Sequence, residues 1–188
     1  LNLADEPLLH ELQERGFTGV MYGLPEGTVV FTSESLIRIK APIMEAQFIE
    51  TALLNLINHQ TLIATKASRV VQAADGDEVI DFGLRRAQGP DAAIYGARAA
   101  VIGGCTSTSN VLAGQQFGIP VRGTHAHSWV ISFPDELDAF RAYARTFPDA
   151  CMLLVDTYDT LNSGVPNAIK VFEELKAQGH KPLGIRLD

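Results

Sequence analysis

Cysteine is scarce: the 188 residues contain two, Cys105 and Cys151. That excludes a disulfide framework and a cysteine-rich metal cluster. Both lie in apolar segments, where reduced, packed thiols are expected. Aromatic residues make up only 7%, so aliphatic side chains carry the core. Positive charge is outweighed, with 15 Lys and Arg against 22 Asp and Glu and a formal net charge of −7. This balance argues against a nucleic-acid coat or a binder of anionic membranes, although a few local Arg residues can still hold an anionic ligand. No apolar run approaches the roughly 18 residues that cross a bilayer. No basic start leads into an apolar stretch as in a secretory leader, and the expected location is the cytoplasm. What is plentiful is apolar material, 46% against 20% charged, which excludes global disorder. Leu1 stands where Met is usual, and Gly184-Ile185-Arg186-Leu187-Asp188 reads as a strand that has just delivered charged side chains. A fragment of a longer protein is therefore expected.

Residues 1–19 are polar and helix-capable, with a break at Gly16, and Pro25-Glu26-Gly27-Thr28 is turn chemistry. Short strands are expected at Val29–Thr32 and Leu36–Lys40, the second alternating apolar and basic. Pro42 suits the start of a helix, and apolar spacing continues that helix from Ile43 to about Ala74, where Asp75-Gly76-Asp77 stops it. Residues 1–76 thus read as a small α+β subdomain. From residue 77 onward strand and helix alternate. Strands are expected at Val79–Gly83, Val101–Cys105, Val121–Thr124, Cys151–Val155 and Leu183–Leu187. Helices are expected at Pro90–Ala100, Asn110–Phe117, from Pro134 to Phe147, and from Gly164-Val165-Pro166 to Gly179. Such a series means parallel strands joined by crossovers.

The fold class is α/β. A doubly wound sheet and a barrel both fit, but polar residues follow every expected strand, as they do where a barrel assembles its site from many strand ends. Residues 77–188 are accordingly expected to be the first strand–helix units of an incomplete, TIM-like barrel, truncated at its C-terminus.

Five segments carry candidate chemistry. Phe82-Gly83-Leu84-Arg85-Arg86 offers a ring and two guanidinium forks suited to phosphate or carboxylate; the bland alternative is a surface pair of cations. Gly103 to Asn110 offers glycines, hydroxyls and a helix start, which suit an anion or sugar but equally an ordinary N-cap. In Gly123-Thr124-His125-Ala126-His127 the His-x-His pattern has three readings. It is a metal chelate as in amidohydrolases, an imidazole that takes a proton or a phosphoryl group, or a hydrogen-bonded pair without chemistry. Asp156 ends an apolar strand and suits orientation of a histidine, a ribose contact or Mg²⁺, with Asp159 or Thr160 left to cap the next helix. Arg186 and Asp188 share a strand face and suit a zwitterionic or sugar-phosphate ligand, or form a structural ion pair.

Together, Phe82-Gly-Leu-Arg-Arg-Ala-Gln-Gly89, Thr108-Ser-Asn-Val-Leu-Ala-Gly114, Gly123-Thr-His-Ala-His127, Val155-Asp-Thr-Tyr-Asp159 and Gly184-Ile-Arg-Leu-Asp188 resemble the nicotinate phosphoribosyltransferase family, the type II phosphoribosyltransferases of NAD salvage. The resemblance implies transfer of phosphoribosyl from phosphoribosyl pyrophosphate to nicotinate, giving nicotinate mononucleotide, with Mg²⁺ assisting and ATP hydrolysis coupled through a phosphorylated histidine. It implies a homodimer. By position, His127 matches the phosphorylated histidine, and Asp156 and Asp188 match polar groups near ribose and metal. Phe82 matches the aromatic that stacks on the pyridine ring, Arg85 a phosphate contact, and Thr124 and Arg186 nicotinate contacts. Ser109 stands where nicotinamide-using relatives have an acid. The chain departs from the family pattern at Ser107, where Gly is general, and the family's later phosphate-binding loop is absent, so a fragment of this length is expected to be inactive alone. Two alternatives stay open: a ligand-binding module without turnover, and a metal-dependent barrel hydrolase using His125 and His127.

Overall fold

The computed structural model describes residues 6–14 and 16–188. Of the helix expected over 1–19, residues 1–5 and 15 lie outside the described residues; the rest contains α1 (Glu6–Glu14). The chain divides into two compact units, Leu1–Arg122 and Gly123–Asp188.

In the first unit, β1 (Val20–Gly23) and β2 (Ile37–Lys40) form an antiparallel hairpin, with Val20 opposite Lys40 and Gly23 opposite Ile37. The strand expected at Val29–Thr32 is absent. Val29 and Phe31 are 80% and 75% exposed, and Glu34 turns back to accept the Phe31 amide at 2.9 Å, so this segment is a turn between the strands. The turn at Pro25–Thr28 forms as expected, with the Thr28 hydroxyl on the Pro25 carbonyl. Pro42 precedes α2 (Ile43–Ala73), which Asp75 and Gly76 end with positive φ.

After α2 come β3 (Ile80–Asp81), a 3-10 turn at Leu84–Arg86, α3 (Pro90–Ile102), β4 (Ser107–Thr108) and α4 (Val111–Phe117). The strand expected at Val101–Cys105 is the end of α3 instead. Gly103 caps that helix and abuts α2 so closely that a Cβ there would meet the Ala64 carbonyl at 2.5 Å. The glycine pair is thus a helix stop at a helix–helix crossing, and the strand begins only after Cys105. β3 and β4 pair in parallel, Ile80 with Ser107 and Asp81 with Thr108. The strand expected at Val121–Thr124 contributes a single parallel bridge, Thr108 to Val121. Because α2 packs along α3, residues on both sides of the expected 76/77 division share this unit.

The second unit holds α5 (His127–Ile131), α6 (Glu136–Thr146), β5 (Met152–Leu154), a π-turn at Thr160–Gly164, α7 (Val165–Ala177) and β6 (Gly184–Arg186). β5 and β6 are parallel, Met152 opposite Gly184 and Leu154 opposite Arg186. Leu153, Leu154 and Val155 are buried, and Leu153 and Val155 pack with Phe140 and Val171. Each such side chain contributes about 1.5–3 kcal/mol by leaving water. Asp135 caps α6 through the Asp138 amide at 2.8 Å. Both cysteines are free and buried. Burial raises both thiols, Cys151 to about 11. Among the described residues the strands form three two-stranded sheets, two of them parallel. The architecture is therefore mixed α/β. No described helix is long and apolar enough to cross a membrane.

Candidate active site

In the first unit the carboxyl ends of β3 and β4 hold Phe82, Arg85 and Ser109. Asp81 organises them. Its Oδ1 accepts the Gly83 amide at 3.0 Å, its Oδ2 accepts the Thr108 hydroxyl at 2.8 Å, and its carbonyl accepts the Ser109 amide at 2.9 Å. The Thr108 oxygen in turn accepts the Asn110 amide at 3.0 Å, while Asn110 caps α4 through the Ala113 amide at 3.2 Å. The Arg-bearing turn and the serine loop are therefore both tied to one residue, Asp81, through its carboxylate and its carbonyl. Arg85 is exposed and Ser109 half-buried, and neither side chain has a hydrogen-bond or ion-pair partner among the described residues.

The second unit gathers Thr124, His127, Asp156, Arg186 and Asp188 into one network. His127 opens α5, and its Nε2 lies 3.0 Å from Asp156 Oδ1. Its Nδ1 is 4.0 Å from Asp188 Oδ2. Asp156 Oδ2 accepts the Asp188 amide at 2.7 Å. Arg186 donates to the Thr124 hydroxyl oxygen at 2.9 Å and to Asp188 Oδ1 at 2.7 Å. The Asp188 amide holds the Asp156 carboxyl below its ordinary range; burial opposes this and the His127 ring adds to it. An ionised carboxylate only accepts, so Nε2 of His127 carries a proton, and in the neutral ring Nδ1 holds the lone pair.

His125 does not join this network. Its ring is buried against Tyr143, with centroids 4.8 Å apart, and its Nε2 accepts the Leu154 amide at 3.2 Å. The two histidines thus diverge, contrary to a His-x-His chelate, because the backbone leaves the extended path and enters α5 at His127. Among the described residues no group of three or more His, Cys, Asp or Glu side chains is placed to hold a metal.

Three site features escaped the sequence reading: Asp81, His125 as a core acceptor, and Glu136. Buried Glu136 accepts from Ser163 at 2.6 Å and from Asn167 at 3.1 Å. An acid at a strand end two residues before a glycine was the available signal for Asp81. For the other two nothing local distinguishes a buried partner from a surface one.

No protein-family model matches the chain. Nicotinate phosphoribosyltransferase of Bacillus subtilis is 56% identical to it over 168 residues, which is 89% of this chain and 34% of that protein. The chain belongs to the nicotinate phosphoribosyltransferase family. The Mycobacterium tuberculosis nicotinate phosphoribosyltransferase is 52% identical over 159 residues, 85% of this chain and 34% of the relative. The chain thus spans about a third of the length of these curated relatives. Among solved structures, human nicotinic acid phosphoribosyltransferase matches with a TM-score of 0.90 at 33% identity, over 98% of this chain and 47% of that one. The nicotinate-nucleotide pyrophosphorylase of Pyrococcus furiosus matches with a TM-score of 0.81 at 30% identity, over 97% and 46%. Within the nicotinate phosphoribosyltransferase family, then, the segment seen here holds two strand-end clusters, each built around a carboxylate, Asp81 in one and Asp156 in the other.

Proposed function

We propose that this chain is part of an enzyme that joins nicotinate to phosphoribosyl pyrophosphate, giving nicotinate mononucleotide and pyrophosphate, with ATP cleavage coupled through phosphate carried on His127. The observation that carries the proposal is the oriented imidazole of His127, held by Asp156 at 3.0 Å. With Nε2 protonated toward Asp156, Nδ1 is the nucleophile. Its lone pair forms an N–P bond to the γ-phosphorus of ATP as the bond to ADP breaks, and the positive charge on the ring is balanced by Asp156.

Displacement at the ribose anomeric carbon has a loose, cation-like transition state, so the protein's contribution is positioning and charge stabilisation. Arg85 is exposed and suits a phosphate. Phe82 would stack on the pyridine ring. Thr124 and Arg186 would bind the nicotinate carboxylate, and the neutral Ser109 hydroxyl would not repel it. Proteins hold Mg²⁺ with one or two carboxylates beside substrate phosphates and water. Asp156, whose Oδ2 accepts the Asp188 amide at 2.7 Å, and Asp188 would supply such carboxylates. Mg²⁺ there would neutralise charge on the departing pyrophosphate.

The two parallel strand pairs support assignment of residues 77–188 to the start of an incomplete TIM-like barrel in the full-length protein, preceded by the α+β segment 1–76. The full-length protein is proposed to be a cytoplasmic homodimer. The test is incubation of full-length protein with nicotinate, phosphoribosyl pyrophosphate, Mg²⁺ and ATP. Nicotinate mononucleotide should form with ATP stimulation, and an acid-labile, alkali-stable phosphate should map to His127. A product without any phosphate on His127 rejects the coupling.

A further inference from the structure

The outer edge of β5 is closed by a side chain. Val155 donates its amide to the Arg186 carbonyl of β6 at 3.1 Å. Successive residues of a strand face opposite edges, so the Leu154 amide faces away from β6, where it meets His125 Nε2 rather than another strand. Leu154 is 1% and His125 8% exposed, so an unmet amide here carries its full desolvation cost. An amide N–H only donates; Nε2 must therefore hold the lone pair, and the ring proton sits on Nδ1. Tyr143 edge-on and Phe140 at 5.9 Å wedge the ring, and the Thr124 hydroxyl donates to the His125 carbonyl at 2.9 Å. Two residues beyond His125 is His127, and two beyond Leu154 is Asp156. The Leu154–His125 and Asp156–His127 hydrogen bonds thus have the same sequence offset of 29 residues. They are two rungs between one segment and the end of one strand.

We propose that His125 is a positioning residue: as a neutral imidazole protonated at Nδ1, it pins β5 two residues before Asp156 and so sets the Asp156–His127 distance. Burial keeps the ring below the ordinary imidazole range. Arg186 of β6 and His127 of α5 push it the same way, while the Ala126 backbone opposes. The functional consequence rests on His127 as the phosphoryl acceptor.

Full-length protein is compared with His125→Gln, whose Oε1 can still accept the amide, and His125→Phe, which fills the space but cannot. For the Phe variant, kcat should fall about tenfold, with KM for nicotinate within about twofold, and amide exchange at Leu154 should quicken about tenfold. The Gln variant should recover both to within about threefold. Nitrogen-15 imidazole spectra of selectively labelled wild type should show the Nδ1–H tautomer, which tests the proposal even if His125→Phe does not fold. Equal behaviour of the two variants, or an Nε2–H tautomer, overturns it. Wild type that makes no nicotinate mononucleotide defeats the transferase proposal separately, while exchange and tautomer still decide His125.

Discussion

At the ends of β3 and β4, Arg85 and Ser109 offer side chains that no described residue engages, while the backbone beneath them is tied to Asp81. At the ends of β5 and β6, Asp156, Arg186 and Asp188 hold one another and engage His127 and Thr124. An engaged network is oriented before any ligand arrives, which is what stabilising a transition state requires. Free side chains lose entropy on binding but can adapt to what they bind. One cluster suits recognition and the other suits chemistry, and the two should respond differently to substitution in the full-length protein.

The largest separation is expected from His127→Ala. ATP-dependent stimulation should fall by about 100-fold or more, with ATP-independent turnover surviving. Steady-state kinetics with and without ATP check it, and unchanged coupling would remove His127 from the chemistry. Gly164→Ala should show that the engaged cluster rests on tight packing, since a Cβ there would overlap the Val155 carbonyl just before Asp156. A loss of about 1–3 kcal/mol is expected in urea denaturation, whereas Gly123→Ala, with open space around it, should be near neutral. Arg85→Ala should raise KM for phosphoribosyl pyrophosphate about tenfold and leave the melting temperature within about a degree. A stability loss matching that of Gly164→Ala would end the distinction between the clusters.

The smallest effect is the acid response. The folded-state pKa of Asp156 is depressed. Its stabilising contribution is therefore complete above the ordinary carboxylate value and is lost as pH falls through the lower folded value. Between about pH 5 and pH 2, wild type should lose slightly more stability than Asp156→Asn, by under about 1 kcal/mol. Denaturation midpoints across that window report it.

Long periodic segments were legible in the sequence. Pro42, the apolar spacing to Ala73 and the Asp75-Gly76 stop define α2. The helix expected from Pro134 and β5 as a covered parallel strand also follow from local chemistry, the helix starting at Glu136 with Asp135 as its cap. The first strand of the hairpin was not legible, because Val29–Thr32 and Val20–Gly23 are equally strand-like and only pairing with Ile37–Lys40 decides between them. The Val101–Cys105 segment is apolar in either state, and the Gly103 contact with α2 settles it as helix. In the site, residue types announced His127, Asp156, Arg186 and Asp188. His125 looked equivalent to His127 because its burial depends on Tyr143 and Leu154, both far away in the chain.

Asp81 has a consequence for anyone altering substrate preference. Its carboxylate grips the turn that carries Arg85 and the Thr108 hydroxyl, while its carbonyl holds the Ser109 amide, so the loop that carries Ser109 is tied to the same residue. A redesign at Ser109 that shifts its backbone will drag the Arg85 turn with it. Useful variants here should therefore emerge as co-selected sets that include position 81 rather than as single exchanges.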